Sequence, residues 1–266
     1  MTAAGRGRGP GAVIALAVAT LAVAGTGAGV GGCARADVPG KTTLERVRAA
    51  GVLRWGADQQ GGEPYVFEDP ERPGTLVGFE VEIAQSLARH LGVRAQLVQN
   101  DWPMLIPSLE RGTFDIALNG IEVTPALAER VAFSRPYFAF TERLVARADD
   151  TRVSDLESLR GVRVGTLAAT QAWHTLERAG AKAVAYEGVE EPFIDLENGR
   201  VDAVLLDDII VDRYAPQHPT LRIAGDVGEG RYAVALRPED ADLRAEIDGG
   251  IDALVTSGEL HKILDR

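Results

Sequence analysis

Cysteine is almost absent: Cys33 is the single cysteine in 266 residues. That excludes an intrachain disulfide and any multi-cysteine metal site. Histidine is scarce too, and His90, His174, His218 and His261 are too scattered to suggest zinc. Positive charge is in deficit, with 28 Lys and Arg against 39 Asp and Glu, a net charge of −11. Arg6, Arg8 and Arg35 lie in the first 36 residues, which hold no acid; without them 25 bases face 39 acids, a net −14. Such a surface repels phosphate backbones, so no nucleic-acid partner is expected. Beyond residue 36 no apolar run is long enough for a membrane helix. A 45% apolar content excludes a disordered acidic tail, and the length suffices for one large or two small domains with buried cores.

The N-terminal 36 residues have the layout of an export signal. Arg6 and Arg8 precede an apolar run from Ala12 to Ala24, too short to span a bilayer comfortably, and a Gly-rich stretch follows. Two processing sites compete. Val30-Gly31-Gly32-Cys33 reads as a lipobox with Cys33 as the lipidated residue, whereas Ala34-Arg35-Ala36 fits ordinary small-x-small cleavage before Asp37. Both imply an exported protein, periplasmic or tethered by lipid, whose only link to the membrane is that anchor.

From residue 37 onward, strand-length apolar runs alternate with helical periodicity. Val52–Trp55, Ile116–Leu118, Val162–Val164, Ala203–Leu206 and Ala233–Leu236 each have the length of a buried strand. Ile83, Ala84, Leu87, Ala88 and Leu91 mark a helix stopped by Gly92. Thr124-Pro125 starts another, and Ser154 with Glu157 reads as a capping box. The alternation predicts an α/β fold. An internal echo adds detail: Leu109-Glu110-Arg111-Gly112-Thr113-Phe114-Asp115 parallels Leu196-Glu197-Asn198-Gly199-Arg200-Val201-Asp202, and Leu53-Arg54-Trp55-Gly56 parallels Val162-Arg163-Val164-Gly165. Two related lobes, or merely recurrent helix–Gly–strand junctions, both account for it. Ligands of parallel sheets bind beyond the strand ends, which directs attention to Asn119-Gly120-Ile121-Glu122 and Asp207-Asp208.

From Leu53 to Arg266 the chain resembles the family 3 solute-binding proteins of bacterial ABC importers. The resemblance rests on Leu53-Arg54-Trp55-Gly56-Ala57-Asp58, Leu76-Val77-Gly78-Phe79-Glu80-Val81-Glu82-Ile83-Ala84 and Trp102-Pro103-Met104-Leu105-Ile106-Pro107. It continues through Phe133-Ser134-Arg135-Pro136-Tyr137, Asn198-Gly199-Arg200-Val201-Asp202-Ala203-Val204 and Ser257-Gly258-Glu259-Leu260, all in order. It implies a type II periplasmic-binding-protein fold with two lobes, two hinge strands and a ligand cleft. The implied division is 1–36 leader, 37–139 lobe 1, 140–231 lobe 2 and 232–266 returning to lobe 1. It implies a monomer that binds a polar amino acid or related amine-bearing solute and docks on a permease, with no cofactor and no catalysis.

Carried over by position, the resemblance proposes ligand contacts at Asp58, Tyr65, Trp102, Asn119, Gly120, Glu122, Thr170, Gln171 and Asp207. Trp102 would sandwich the ligand, Asn119 and Gly120 would offer backbone polar groups, and Asp207 would accept from an ammonium. Thr170 and Gln171 would hold a carboxylate at a helix start, where unpaired N–H groups and the helix dipole favour an anion. Two departures bear on the ligand. Leu127 stands where the family has a carboxylate-clamping Arg, and Glu122 replaces a Ser or Thr. Loss of a buried bidentate charge partner costs about 2–5 kcal/mol, which disfavours the usual zwitterion pose unless Arg130, one turn on, substitutes. The loop Asp58-Gln59-Gln60-Gly61-Gly62-Glu63-Pro64-Tyr65 adds Glu63, so that Asp58, Glu63, Glu122 and Asp207 are expected to form an acidic pocket for a cationic or polyhydroxylated amine rather than glutamate or aspartate. Trp55 is expected in the core. Two other classes stay open: a cyclohexadienyl-dehydratase-like enzyme using Glu122 as acid or base, for which no nucleophile or acid/base pair is evident, and a sensor domain.

Overall fold

The computed structural model describes residues 40–59 and 62–266; the processing sites at Cys33 and Ala36 lie outside them. The chain first lays down α1 (Thr43–Ala50), β1 (Val52–Ala57), the hairpin β2 (Phe67–Glu68) and β3 (Leu76–Val77), then α2 (Phe79–His90) and β4 (Arg94–Gln99). It continues through α3 (Leu105–Glu110), β5 (Ile116–Ala117), α4 (Pro125–Ala128) and β6 (Ala132–Phe133). Next come β7 (Phe138–Arg147), β8 (Arg163–Leu167), α5 (Gln171–Ala179), β9 (Lys182–Tyr186), α6 (Glu191–Glu197), β10 (Ala203–Asp207), α7 (Asp208–Tyr214) and β11 (Leu221–Tyr232). The last elements are β12 (Ala235–Leu236), α8 (Ala241–Thr256) and α9 (Glu259–Leu264).

Two five-stranded sheets result, ordered β4-β1-β5-β12-β6 and β11-β7-β10-β8-β9. In each, three strands run parallel (β4, β1 and β5; β9, β8 and β10), and the fourth is antiparallel to them. Four of the short apolar runs read from the sequence are the parallel strands β1, β5, β8 and β10, and the fifth is the antiparallel β12. Such runs arise because a strand covered on both faces has no polar face to display, whereas β4 and β9, with exposed positions along their length, give no such run. Three runs are trimmed at their ends. Val162 precedes β8, Leu118 follows β5 while its N–H still donates to Gly56 O, and Ala233 and Val234 bond Ile121 O and Ser134 Oγ instead of a regular partner.

The internal echo has a physical basis. In the first sheet Arg54 reaches Asp115 through Nε and Nη2 and the Thr113 carbonyl through Nη1. In the second, Arg163 meets Asp202 through Nε and Nη2 and the Arg200 carbonyl through Nη1. Each arginine thus ties the first parallel strand of its sheet to the helix–Gly–strand junction that feeds the third parallel strand. The glycines two positions after these arginines are also matched. A Cβ at Gly56 would sit 2.3 Å from the Phe114 ring, and one at Gly165 would sit 2.9 Å from the Tyr186 ring.

Helix ends follow local chemistry. Thr42 and Glu45 form a reciprocal capping box on α1. Thr124 caps α4, with Pro125 in its first turn. The capping box expected at Ser154 and Glu157 is absent: Asp155 accepts the Ser158 N–H at 2.9 Å and Ser154 Oγ donates to Asp155. The Ser154 N–H, which Glu157 would take in a capping box, goes instead to Ser158 Oγ, and only a 3₁₀ turn forms over Glu157–Leu159.

Within the second sheet β7 and β11 run antiparallel from Leu221↔Arg147 to Tyr232↔Phe138, with irregularities at Ile223/Gly225 and Asp226/Gly228, and at the Phe138 and Tyr232 ends the chain passes to β6 and β12 of the first sheet. Ring contacts link Tyr65, Phe79, Tyr137, Phe138, Phe140 and Tyr232 at this junction, six of the fifteen aromatic side chains. One hydrophobic cluster runs through them from Leu53 and Ile83 to Val145 and Val204. Trp55, at 2% exposure, belongs to that core as expected. The close approach of Phe114 to Gly56 makes a specific test. Gly56→Ala should cost about 1–3 kcal/mol, read by thermal unfolding, and Phe114→Leu in the same chain should recover part of that loss.

Candidate functional site

A cavity of about 460 Å³ opens between the two sheets. Its walls are assembled almost entirely from the C-terminal ends of parallel strands, where side chains are released from the ladder and point into the crevice. Asp58 follows β1, Asp101 and Trp102 follow β4, and Asn119, Gly120 and Glu122 follow β5. From the other sheet, Leu167 ends β8, Tyr186 and Glu187 end β9, and Asp207 ends β10. Tyr65 and the junction residue Tyr232 close the back.

Eight of the nine candidate ligand residues therefore come together: Asp58, Tyr65, Trp102, Asn119, Gly120, Glu122, Thr170 and Asp207. Gln171 does not line this cavity. Its side chain donates to Glu229 O at 3.1 Å and faces a separate cleft with Val123, Phe140 and Arg231. Glu63 is also outside, paired with Arg213. Arg130 makes two 2.9 Å bonds to Glu110 on the surface and provides no substitute clamp. Tyr186, Glu187, Asp101 and Tyr232 went unnamed in the sequence. The first three stand at strand ends and were open to the same strand-end argument, whereas Tyr232 carries no local signal.

The donors expected to meet a ligand are already engaged. Asn119 Oδ1 accepts the Asp58 N–H at 2.8 Å, and Asn119 O accepts Trp102 Nε1–H at 3.0 Å. Asp58 in turn accepts the Trp102 N–H at 2.9 Å and Gln99 Nε2–H at 3.0 Å, which locks the ends of β1, β4 and β5 together. The Gly120 N–H goes to Glu80 Oε1 at 2.6 Å. Thr170 caps α5: its Oγ1 accepts the Trp173 N–H at 3.1 Å and donates to Leu167 O at 2.8 Å. The Gln171 N–H, expected to hold a ligand carboxylate, donates instead to Glu122 Oε2 at 2.7 Å. A carboxylate from one sheet thus sits on the helix start of the other, the placement that helix-end N–H groups favour.

Four carboxyls are buried around this point: Glu80, Glu122, Glu142 and Asp207. Glu142 and Asp207 are direct cross-strand partners on β7 and β10, a like-charge arrangement that disfavours double ionisation. Burial is the leading cause of every shift. It lifts Asp207 to about 7, with Glu142 adding to the effect and the Tyr232 hydroxyl opposing it. It lifts Glu80 to about 7, against hydrogen bonds from Tyr137 and Gly120. Glu122 is raised well above the usual carboxylate range by burial and by Asp207, with the Gln171 N–H opposing. Tyr232 donates to Asp207 and shares a 2.8 Å hydrogen bond with Tyr65, so hydroxyl contacts also span the cleft. Among the described residues no group of three or more His, Cys, Asp or Glu is placed to hold a metal ion, and no helix is long and apolar enough to cross a membrane.

These shifts have a definite sign. An acid whose folded pKa is raised holds its proton longer in the native state, so stability falls as pH climbs from the unfolded value near 4 through the folded value near 7. Between pH 5.5 and 8 the ligand-free protein should lose about 2 kcal/mol for each of Asp207 and Glu80. Denaturant unfolding across that range should show the loss, and Asp207→Asn should remove about half of it.

Comparisons with known proteins place this geometry in context. The bacterial extracellular solute-binding proteins, family 3, match over residues 53–266. The ABC transporter arginine-binding protein 1 of Escherichia coli is 27% identical over 208 residues, 75% of this chain and 85% of that protein. The L-cystine-binding protein of the same organism is 28% identical over 228 residues, 84% of this chain and 85% of that protein. Among solved structures, a mutant ArgBP from T. maritima superposes with a TM-score of 0.76 at 31% identity, covering 84% of this chain and 97% of that one. An ancestral amino acid-binding protein described as a precursor of cyclohexadienyl dehydratase gives 0.77 at 26% identity, covering 84% and 98%. The strand ends, the cavity between two sheets and the match over almost all of the described chain lead to one statement: this protein belongs to the bacterial extracellular solute-binding proteins, family 3.

Proposed function

We propose that this protein is the extracytoplasmic receptor of an ABC importer, taking up a polar amino acid or a related small amine-bearing solute in the cleft and presenting it to a permease. The observation that carries the reading is the cavity of about 460 Å³, built by strand ends of both sheets with Trp102, Tyr186 and Tyr232 on its walls. A solute touching both sheets stabilises the arrangement in which they are close, and the permease reads that arrangement. In this reading residues 37–139 and 232–266 form one lobe, residues 140–231 the other, and β7 and β11 are the hinge. Asp58, Tyr65, Trp102, Asn119, Gly120, Glu122, Thr170 and Asp207 surround the solute. Gln171 contributes by holding Glu122. The receptor acts as a monomer, is exported by its leader, and is either lipidated at Cys33 or released after Ala36.

The acidic walls and aromatic faces support an amine-bearing solute, since a cation gains from both carboxylates and ring faces. No covalent step is involved. An enzyme on the same scaffold would consume the solute, whereas a receptor returns it unchanged in stoichiometric amount.

A thermal-shift panel of amino acids, amines and sugars tests the reading. At a hundredfold excess over Kd the cognate solute should add about 2.7 kcal/mol, or about 5–10 °C in Tm for a chain of this size. Chromatography should then recover that solute chemically intact. Trp102→Ala should weaken binding about tenfold or more by removing the ring face. Absence of any shift across the panel, or turnover of the solute, would reject the receptor reading.

A further inference from the structure

The walls of the cleft are one-sided in charge and in hydrogen-bonding capacity. Asp58, Asp101, Glu122, Glu187 and Asp207 line the cavity, and among the described residues no Lys, Arg or His does. Five N–H groups at its edge are spent on the protein's own acceptors. Asp58 N–H goes to Asn119, Trp102 N–H to Asp58, Trp102 Nε1–H to Asn119, Gly120 N–H to Glu80 and Gln171 N–H to Glu122. Acceptors remain in hand. Glu122 Oε2 and Asp207 Oδ2 are each bonded, but Glu122 Oε1 and Asp207 Oδ1 accept no hydrogen bond among the described residues. Both side chains are more than nine-tenths buried, at 4% and 8% exposure, and both line the cavity.

We propose that Glu122 occupies the anion seat of this cleft permanently, so that the cleft selects small organic cations without a carboxylate: primary amines, diamines and guanidines. The inference rests on the receptor reading and narrows its ligand class. A carboxylate on the ligand would meet no cation on the wall. It would have to displace Glu122 from the start of α5, leaving that side chain buried and unpaired beside Asp207. A buried unpaired charge is among the costliest states a protein can hold. An ammonium or guanidinium instead finds the two free oxygens of Glu122 and Asp207 and the faces of Trp102, Tyr186 and Tyr232. Charge-assisted hydrogen bonds and ring faces both favour it. Neutralising the pair also relieves the repulsion that the two carboxylates exert on each other.

Matched pairs separate this inference from the reading beneath it. Isothermal titration of the purified protein would compare agmatine with arginine, cadaverine with lysine and putrescine with ornithine, each pair differing by one carboxylate. In at least one pair the decarboxylated member should bind about tenfold tighter or more. Glu122→Gln, which keeps the shape and removes the charge, should weaken that amine about 30-fold and narrow the preference within the pair. Equal or tighter binding by the amino acid in every pair overturns the inference and leaves the receptor reading standing. An unchanged preference in folded Glu122→Gln overturns it as well. If that variant does not fold, the wild-type pairs alone decide. Binding by neither series overturns the inference, and the receptor reading falls with it only if the broader thermal-shift panel is also silent.

Discussion

Burying a carboxylate requires that it be hydrogen-bonded, neutralised or protonated, and the cleft is organised by the way four of them meet that requirement. Glu80 is held by Gly120 and Tyr137, Glu122 by the start of α5, Asp207 by Tyr232, and Glu142 by Thr175. The bonds from the Gly120 and Gln171 N–H groups fix backbone as well as side chain. The Glu80 contact shapes the turn after β5, and the Glu122 contact brings that turn against α5 of the other sheet. The Asp207 contact ties β10 to the junction ring of Tyr232. Desolvation is therefore what the geometry of the site answers to, and it leaves the cleft rich in acceptors and poor in free donors.

The same contacts connect the two sheets. Tyr232 lies at the end of β11, stacks on Phe140 and reaches both Tyr65 and Asp207 through its hydroxyl. Its ring belongs to the hydrophobic cluster continuous between the sheets, while its hydroxyl belongs to the cavity wall. A side chain with an apolar body and a polar tip suits a place where core and cleft touch. Glu122 adds a second connection, and the pairing of Glu63 with Arg213 adds a third at the rim.

The sequence was informative where chemistry is local. Strand-length apolar runs located β1, β5, β8, β10 and β12, because burial removes polar alternation, and missed the half-exposed parallel strands β4 and β9. Thr124-Pro125 marked a helix start through cap chemistry alone. The paired Arg and Asp positions of the internal echo are legible because the same clamp is built twice, at Arg54 with Asp115 and Arg163 with Asp202. Local rules failed where neighbours compete for one donor. Ser158 Oγ took the Ser154 N–H that Glu157 was expected to accept, and Glu110 claimed Arg130 before any ligand could. Glu63 was assigned to the acidic pocket by its nearness in sequence to Asp58, but the loop turns it to Arg213 at the rim.

What the chain determined unaided is the α/β alternation and the strand ends that carry chemistry, which follow from side-chain type and spacing and need no long-range contact. The conjunction of Leu127 with Glu122 stands out only against the pattern of the family the sequence resembles. Only the tertiary structure decided how the polar groups at those strand ends are paired. The Gln171 N–H and Glu122 are 49 positions apart, and Tyr232 and Asp207 are 25 apart, so no local pattern links them. Which donor satisfies which buried acceptor is settled when the two sheets come together and water is excluded.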